Sequence, residues 1–201
     1  IIATGQHFDA LRRDNPQNDI TLFLAEAEAL REAERYQEAF DGLDRALALH
    51  PNDKDLLYAR GLVAEKLDRL DLLERDLRAI LALDPKNSQA LNALGYTLAD
   101  RTDRYQEALG YIKQALEQMP NDAAVLDSMG WVQYRLGNRN QALAYLRQAY
   151  HINPDAEIAA HLSEVLWVNG QREEAQKLWR EALARHPGSS HLRKLRERFG
   201  W

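Results

Sequence analysis

Six histidines and 31 carboxylates are the side chains of this 201-residue sequence that could bind a metal or move a proton, and there is no cysteine. The missing cysteine removes disulfides, thiolate nucleophiles and sulfur ligation together, while leaving the compartment open. A metal site needs several ligands to converge, yet the histidines are scattered. His50 and His186 immediately precede prolines, His151 lies in a similar place, and His7 and His191 lie in the terminal segments. A cation at a helix end, favoured by the helix dipole, is the simpler role for them. The carboxylates fall mainly at solvent-facing helical spacing beside a base three or four residues away, as with Glu74 and Arg78. Surface pairs of that kind contribute only ~0.3–0.5 kcal/mol. Phosphate-cradling glycine loops, the paired-histidine zinc helix and the serine nucleophile elbow are all missing. The sequence therefore predicts no catalytic residue, no metal and no cofactor.

The elements that carry these side chains are set by a repeat. All six prolines, Pro16, Pro51, Pro85, Pro120, Pro154 and Pro187, recur at intervals of 33 to 35 residues. In four cases a small polar cluster surrounds the proline, as in Pro51-Asn52-Asp53 and Pro120-Asn121-Asp122, and both stops one helix and caps the next. Between prolines each unit holds two apolar-periodic runs, too long for typical strands and long enough for amphipathic helices. The expected turns inside the hairpins lie near residues 33–36, 67–70, 101–105, 136–139 and 169–172, with Gly137 and Gly170 supplying left-handed helix ends in the last two. Small residues mark close helix approach: Ala27, Gly61, Gly95, Gly130 and Ser163 on first helices; Ala39, Leu73, Ala108, Ala142 and Ala175, then Ala46, Ile80, Ala115, Ala149 and Ala182, on second helices. A large residue stands between the last two columns, namely Leu43, Leu77, Ile112, Leu146 and Trp179. Leu73 and Ile80 break the alanine columns, so the second hairpin is expected to be splayed. One extra residue near 101–104 and one fewer after Pro154 should be absorbed in loops.

In phase with this spacing, the third unit reads Leu91-x2-Leu94-Gly95-x2-Leu98, then Ala108-x3-Ile112, then Pro120. The fourth reads Leu126-x2-Met129-Gly130-x2-Gln133, then Ala142-x3-Leu146, then Pro154. Over residues 20–187 the chain resembles the tetratricopeptide repeat (TPR) family. The resemblance implies an all-α, right-handed superhelical TPR solenoid of antiparallel helical hairpins. Five units are expected at 20–53, 54–87, 88–122, 123–155 and 156–187, preceded by the remnant second helix of an earlier repeat in 1–19 and closed by a capping helix in 188–201.

The resemblance also implies where recognition lies, since the first helices of such repeats line a groove. Carried over by position, the groove holds Leu24 and Glu28; Tyr58, Leu62 and Glu65; Asn92 and Tyr96; Asp127, Trp131, Tyr134 and Arg135; and His161, Glu164 and Trp167. The expected protein- or peptide-binding residues are Tyr58, Leu62, Asn92, Tyr96, Asp127, Trp131, Tyr134, Arg135, His161 and Trp167. Five of these are Tyr or Trp; exposed even by a third they would present ~250–400 Å² of ring surface, as much as the largest apolar patch of an ordinary monomer. The competing reading is that Trp131, Tyr134 and Trp167 pack between neighbouring first helices. The Lys, Arg and Asn clamp with which some TPR domains hold the acidic tail of heat-shock chaperones is not matched: Leu24, Ala25, Glu28, Tyr58 and Leu62 stand there, and Asn92 alone agrees in type.

Phe8 and Leu11 ahead of Pro16, with an Ile1-Ile2 start, predict a fragment of a longer protein; the basic helix after Ser189 is expected to close the stack at a natural terminus. A net charge of −5 provides no broad basic field for nucleic acid. No apolar run approaches the ~18 residues of a membrane span, and no membrane contact by this segment is expected. Residues 20–53 hold eight acids and three bases, whereas 189–201 hold four bases and one acid. This is either solvation of helix faces or steering of a partner or another copy. The runs Leu57–Arg60, Leu91–Arg101, Asp127–Trp131 and Ala159–Leu162 resemble the carboxyl-terminal region of large proteobacterial TPR proteins, among them outer-membrane lipoproteins facing the periplasm. That resemblance implies a non-catalytic adaptor for a carboxyl-terminal processing protease and its substrates. The alternatives are a self-associating assembly module of an envelope complex and the regulatory end of a larger enzyme.

Overall fold

The computed structural model describes residues 5–201. Among the described residues it contains twelve α-helices, a 3-10 turn at Pro16–Asn18 and no strand. The helices are α1 (Gly5–Asp14), α2 (Asp19–Glu32), α3 (Tyr36–Leu49), α4 (Lys54–Lys66), α5 (Leu70–Leu83), α6 (Ser88–Arg101), α7 (Tyr105–Gln118), α8 (Ala123–Arg135), α9 (Arg139–Ile152), α10 (Ala156–Val168), α11 (Arg172–Arg185) and α12 (Ser190–Phe199). The expectations for Ile1, Ile2, Thr4 and the His7 side chain lie outside the described residues. No described helix is long and apolar enough to cross a membrane. The chain forms two compact units that divide between Ala90 and Leu91, within the first turn of α6.

Local chemistry sets the helix ends. Asp53, Asn87, Asp122, Asp155 and Ser189 each accept a hydrogen bond at 2.9–3.3 Å from the backbone N–H three residues on, which satisfies a donor that the first turn leaves orphaned. In four of the five hairpins the chain reverses through one left-handed residue. Gly137 and Gly170 have φ of +86° and +85°, and Glu34 and Asp68 take φ of 58° in the first two hairpins. In all four the next N–H bonds back to a carbonyl five residues earlier, at 2.8–3.0 Å.

Each hairpin turn has the same three-residue length, so the extra residue of the third unit is not in its loop: α6 has 14 residues where α4, α8 and α10 have 13. Thr102 makes this extension possible, because its hydroxyl donates to the Leu98 carbonyl and accepts from the Arg104 N–H. The residue missing after Pro154 does come out of a loop, with residues 153–155 joining α9 to α10 where four residues join the earlier units.

The repeated columns form the core. Every second-helix position in the two small columns, and the large residue between them, is buried in all five hairpins, from Ala39, Leu43 and Ala46 to Ala175, Trp179 and Ala182. A Cβ on Gly95 or Gly130 would lie 2.5 Å from Ile112 or Leu146 and 3.1–3.2 Å from the backbone oxygen of Ala108 or Ala142. At Gly61 the nearest backbone atoms of the facing helix, on Leu73, are 3.9 Å away. The bulk of Leu73 thus holds α4 and α5 further apart at this point.

Not every carboxylate is on the surface. Asp76 is 1 % exposed and receives two hydrogen bonds from Arg60, at 2.7 and 2.8 Å, while Arg60 also reaches Asp44 of α3 at 2.6 Å. Buried Glu26 takes Arg12 of α1 at 2.7 Å, with the guanidinium 4.1 Å above the Phe23 ring. These partners lie 14–16 residues apart in sequence, beyond the reach of helical spacing rules, so the surface expectation fails for them.

Candidate functional site

The first-helix faces carry clefts within both units. In the first unit α2 contributes Leu24, Ala27, Glu28 and Arg31, and α4 contributes Asp55, Tyr58, Ala59, Leu62 and Val63, around about 370 Å³. Spacing places them there: Leu24, Glu28 and Arg31 form one stripe of α2, and Asp55, Tyr58, Leu62 and Glu65 one stripe of α4. Leu24, Tyr58 and Leu62 are half-buried, and Asp55 and Glu28 are exposed. Arg31 grips Glu28 through two hydrogen bonds of 2.9 and 2.6 Å. Burial, together with the nearby charge of Glu65, raises the Tyr58 hydroxyl above its ordinary pKa.

The second cleft, of about 360 Å³, brings together Tyr96 and Asp100 of α6, Trp131 and Arg135 of α8, His161 and Glu164 of α10, and His191, Lys194, Leu195 and Arg198 of α12. Its floor is a polar network. His161 Nδ1 lies 2.8 Å from Asp127 Oδ2, and Nε2 lies 3.5 Å from the Tyr96 hydroxyl, which donates to Glu157 at 2.6 Å. The Trp131 ring stacks on the imidazole with centroids 4.2 Å apart, and its Nε1–H donates to Asp100 at 3.1 Å. Arg135 donates to the Asp100 carbonyl and the Tyr105 hydroxyl, and Arg198 donates to Glu164 at 2.6 Å.

The protonation of this floor follows from its surroundings. Burial works against a charged imidazole, but Asp127, the hydrogen bond to it, and the charges of Glu157 and Asp100 prevail and raise His161 to about 9. Burial also pushes the Asp127 carboxyl upward against the pull of the imidazolium. The ion pair is the form the geometry supports, because both ring nitrogens face oxygen atoms. Burial and the negative charge of Glu157 hold the Tyr96 hydroxyl far above its ordinary range.

The expected groove residues therefore divide. Tyr58 and Leu62 line the first cleft; Tyr96, Trp131, Arg135 and His161 line the second. Asp127, Trp131 and His161 are only 5–7 % exposed, so the expectation of accessible side chains is corrected for these three. They bond and stack on one another across α8 and α10 instead of facing solvent. Tyr134 packs on Trp131 at 5.2 Å, and Trp167 is taken up by Phe199 and Trp201 at 5.6 and 5.1 Å, with the Arg172 guanidinium 5.1 Å above its ring. Asn92 lies one hairpin before Asp127, and each has a side-chain oxygen that is buried without a hydrogen-bond partner. Sequence reasoning missed Asp100, Glu157 and the contribution of α12. The one signal for the last is its run of bases, which reads as solvation and closure alone.

What the arrangement offers is surface for binding. No group of three or more His, Asp or Glu positioned to hold a metal occurs among the described residues, and the buried His161–Asp127 pair is covered by an indole. One family model of a tetratricopeptide repeat matches residues 24–72 and 74–123, and another of the same description matches 133–199. The chain belongs to the tetratricopeptide repeat family. A TPR repeat-containing protein of Pseudomonas aeruginosa is 48 % identical over 160 residues, which are 80 % of this chain and 27 % of that protein. The chain thus spans about a quarter of that relative's length. Its structure superposes on a crystal structure of a TPR protein from Thermus thermophilus with a TM-score of 0.75 at 27 % identity, covering 85 % of this chain and 93 % of the other. A TPR protein from Parabacteroides merdae gives a TM-score of 0.77 at 16 % identity, over 93 % of this chain and 74 % of its own, and shares the fold. TPR proteins act as protein-interaction scaffolds, typically without catalysis, and their repeats bind protein partners.

Proposed function

We propose that this TPR chain is the polypeptide-holding part of a non-catalytic adaptor that presents substrates to, or activates, a periplasmic carboxyl-terminal processing protease. Its place would be the periplasmic face of the outer membrane, as part of a lipoprotein. The observation that carries the scaffold reading is the first cleft, where Leu24, Tyr58 and Leu62 remain half-exposed on a rigid pair of first helices. Apolar and aromatic side chains held in register on packed helices give contact area at low entropic cost. Support for the protease comes from the sequence runs around Tyr58, Asn92, Asp127 and His161, which resemble the carboxyl-terminal region of large proteobacterial TPR proteins. The mechanism is a raised local concentration of substrate, with no contact to the transition state.

The test is reconstitution of the full-length protein with the processing protease of the same organism and an unfolded substrate. Cleavage should accelerate with the wild-type protein, and Leu62→Lys should reduce the acceleration. Equal cleavage rates with and without the protein would overturn the adaptor reading.

A further inference from the structure

We infer that the cleft of the first unit takes a peptide segment in which an apolar side chain stands next to a lysine or arginine. The inference rests on the reading of the chain as a polypeptide-holding scaffold and adds the chemistry of what is held. The floor, Leu24, Ala27, Ala59, Leu62, Val63 and the Tyr58 ring, is carbon surface and selects for an apolar group by burial.

The charges around the floor give the sign. Arg31 is the one base lining the cleft, and Glu28 neutralises it through both guanidinium hydrogen bonds. Asp55 and Glu65 flank the Tyr58–Leu62 stripe at either end and have no side-chain hydrogen bond or ion pair; the base beside Asp55, Lys54, feels its charge but is bonded to Asp84 at 2.9 Å. Two carboxylates with no base bonded to them, beside an apolar floor, favour a cation next to the inserted side chain and repel an acidic segment.

Three fluorescein-labelled octapeptides measured by anisotropy against the whole chain test this: alternating Leu and Arg, alternating Leu and Glu, and alternating Ser and Arg. The Leu–Arg peptide should bind at least about tenfold more tightly than either of the others, and its affinity should fall as salt screens the carboxylates. The doubly substituted Asp55→Asn, Glu65→Gln chain should lose most of the preference for Leu–Arg over Leu–Glu. Leu62→Lys should abolish binding, with unchanged helical circular dichroism. Equal or tighter binding of the Leu–Glu peptide, still blocked by Leu62→Lys, would overturn the inferred partner chemistry and leave the scaffold reading standing. Binding of Leu–Arg that Leu62→Lys does not touch, or no binding of any peptide, would overturn the cleft as a docking site.

Discussion

The two clefts occupy equivalent faces of their first helices and differ in what spans them. In the first unit the stripe reads Asp55, Tyr58, Leu62, Glu65, and none of these side chains bonds to a neighbouring helix, so the face stays open. In the second, Tyr96, Asp127, Trp131 and His161 bond or stack from α6 through α8 to α10, and α12 adds Arg198 to Glu164. Polar aromatic groups placed one or two hairpins apart satisfy one another and close the floor, whereas Leu and a lone Tyr leave a hydrophobic surface for something else. Aromatic content alone is therefore a poor guide to where a repeat face binds.

Removing one ring from each cleft puts this contrast to its most direct test. Trp131→Ala should destabilise the second unit by ~3–5 kcal/mol, read from denaturant unfolding, while Tyr58→Ala in the first should cost about 1 kcal/mol or less. Comparable losses at both positions would show that the first cleft is as sealed as the second.

Next in size is pH dependence. The folded pKa of His161, about 9, lies above its unfolded value near 6.5, so its contribution is complete below pH 6.5 and is lost as pH rises through 9. His161→Gln should flatten the loss between these pH values in the second unit, and the stability of the first unit should not respond to that substitution.

Glycine replacement tests the helix spacing. Gly130→Ala forces a methyl against Leu146 and the Ala142 carbonyl and should cost ~1–3 kcal/mol. Gly61→Ala meets the Leu73 side chain at 3.1 Å and its backbone only at 3.9 Å, and should cost less than Gly130→Ala because the better helix propensity of alanine offsets part of the crowding. The smallest effects belong to the turns. Glu34→Gly should stabilise the first unit, and Gly137→Ala destabilise the second, each by up to about 1 kcal/mol, as thermal unfolding would register.

Much of the fold was legible because its signals are local. The proline ladder, the caps at Asp53 and Asp122, and the alanine columns all act within one turn or one hairpin, and the structure places them as their spacing requires. Glu34 and Asp68 were not legible as left-handed residues: neither is glycine, and the 6→1 turn bond that holds them there leaves no mark in residue type.

The site was read less well than the fold. Position alone brought Tyr58, Leu62, Tyr96, Trp131, Arg135 and His161 to first-helix faces. It did not reveal that Trp131 would lie on His161, or that Glu157 and Asp100 would complete that network. Periodicity fixes which side of a helix a residue occupies; whether that side is open depends on the lengths and bonding partners of side chains more than thirty residues away. The residue order was enough for five hairpins, their caps and their repeating core, because those follow from short-range geometry. That one face closes on its own polar groups while the other remains open emerged only in three dimensions, because hydrogen bonding and burial are settled between hairpins.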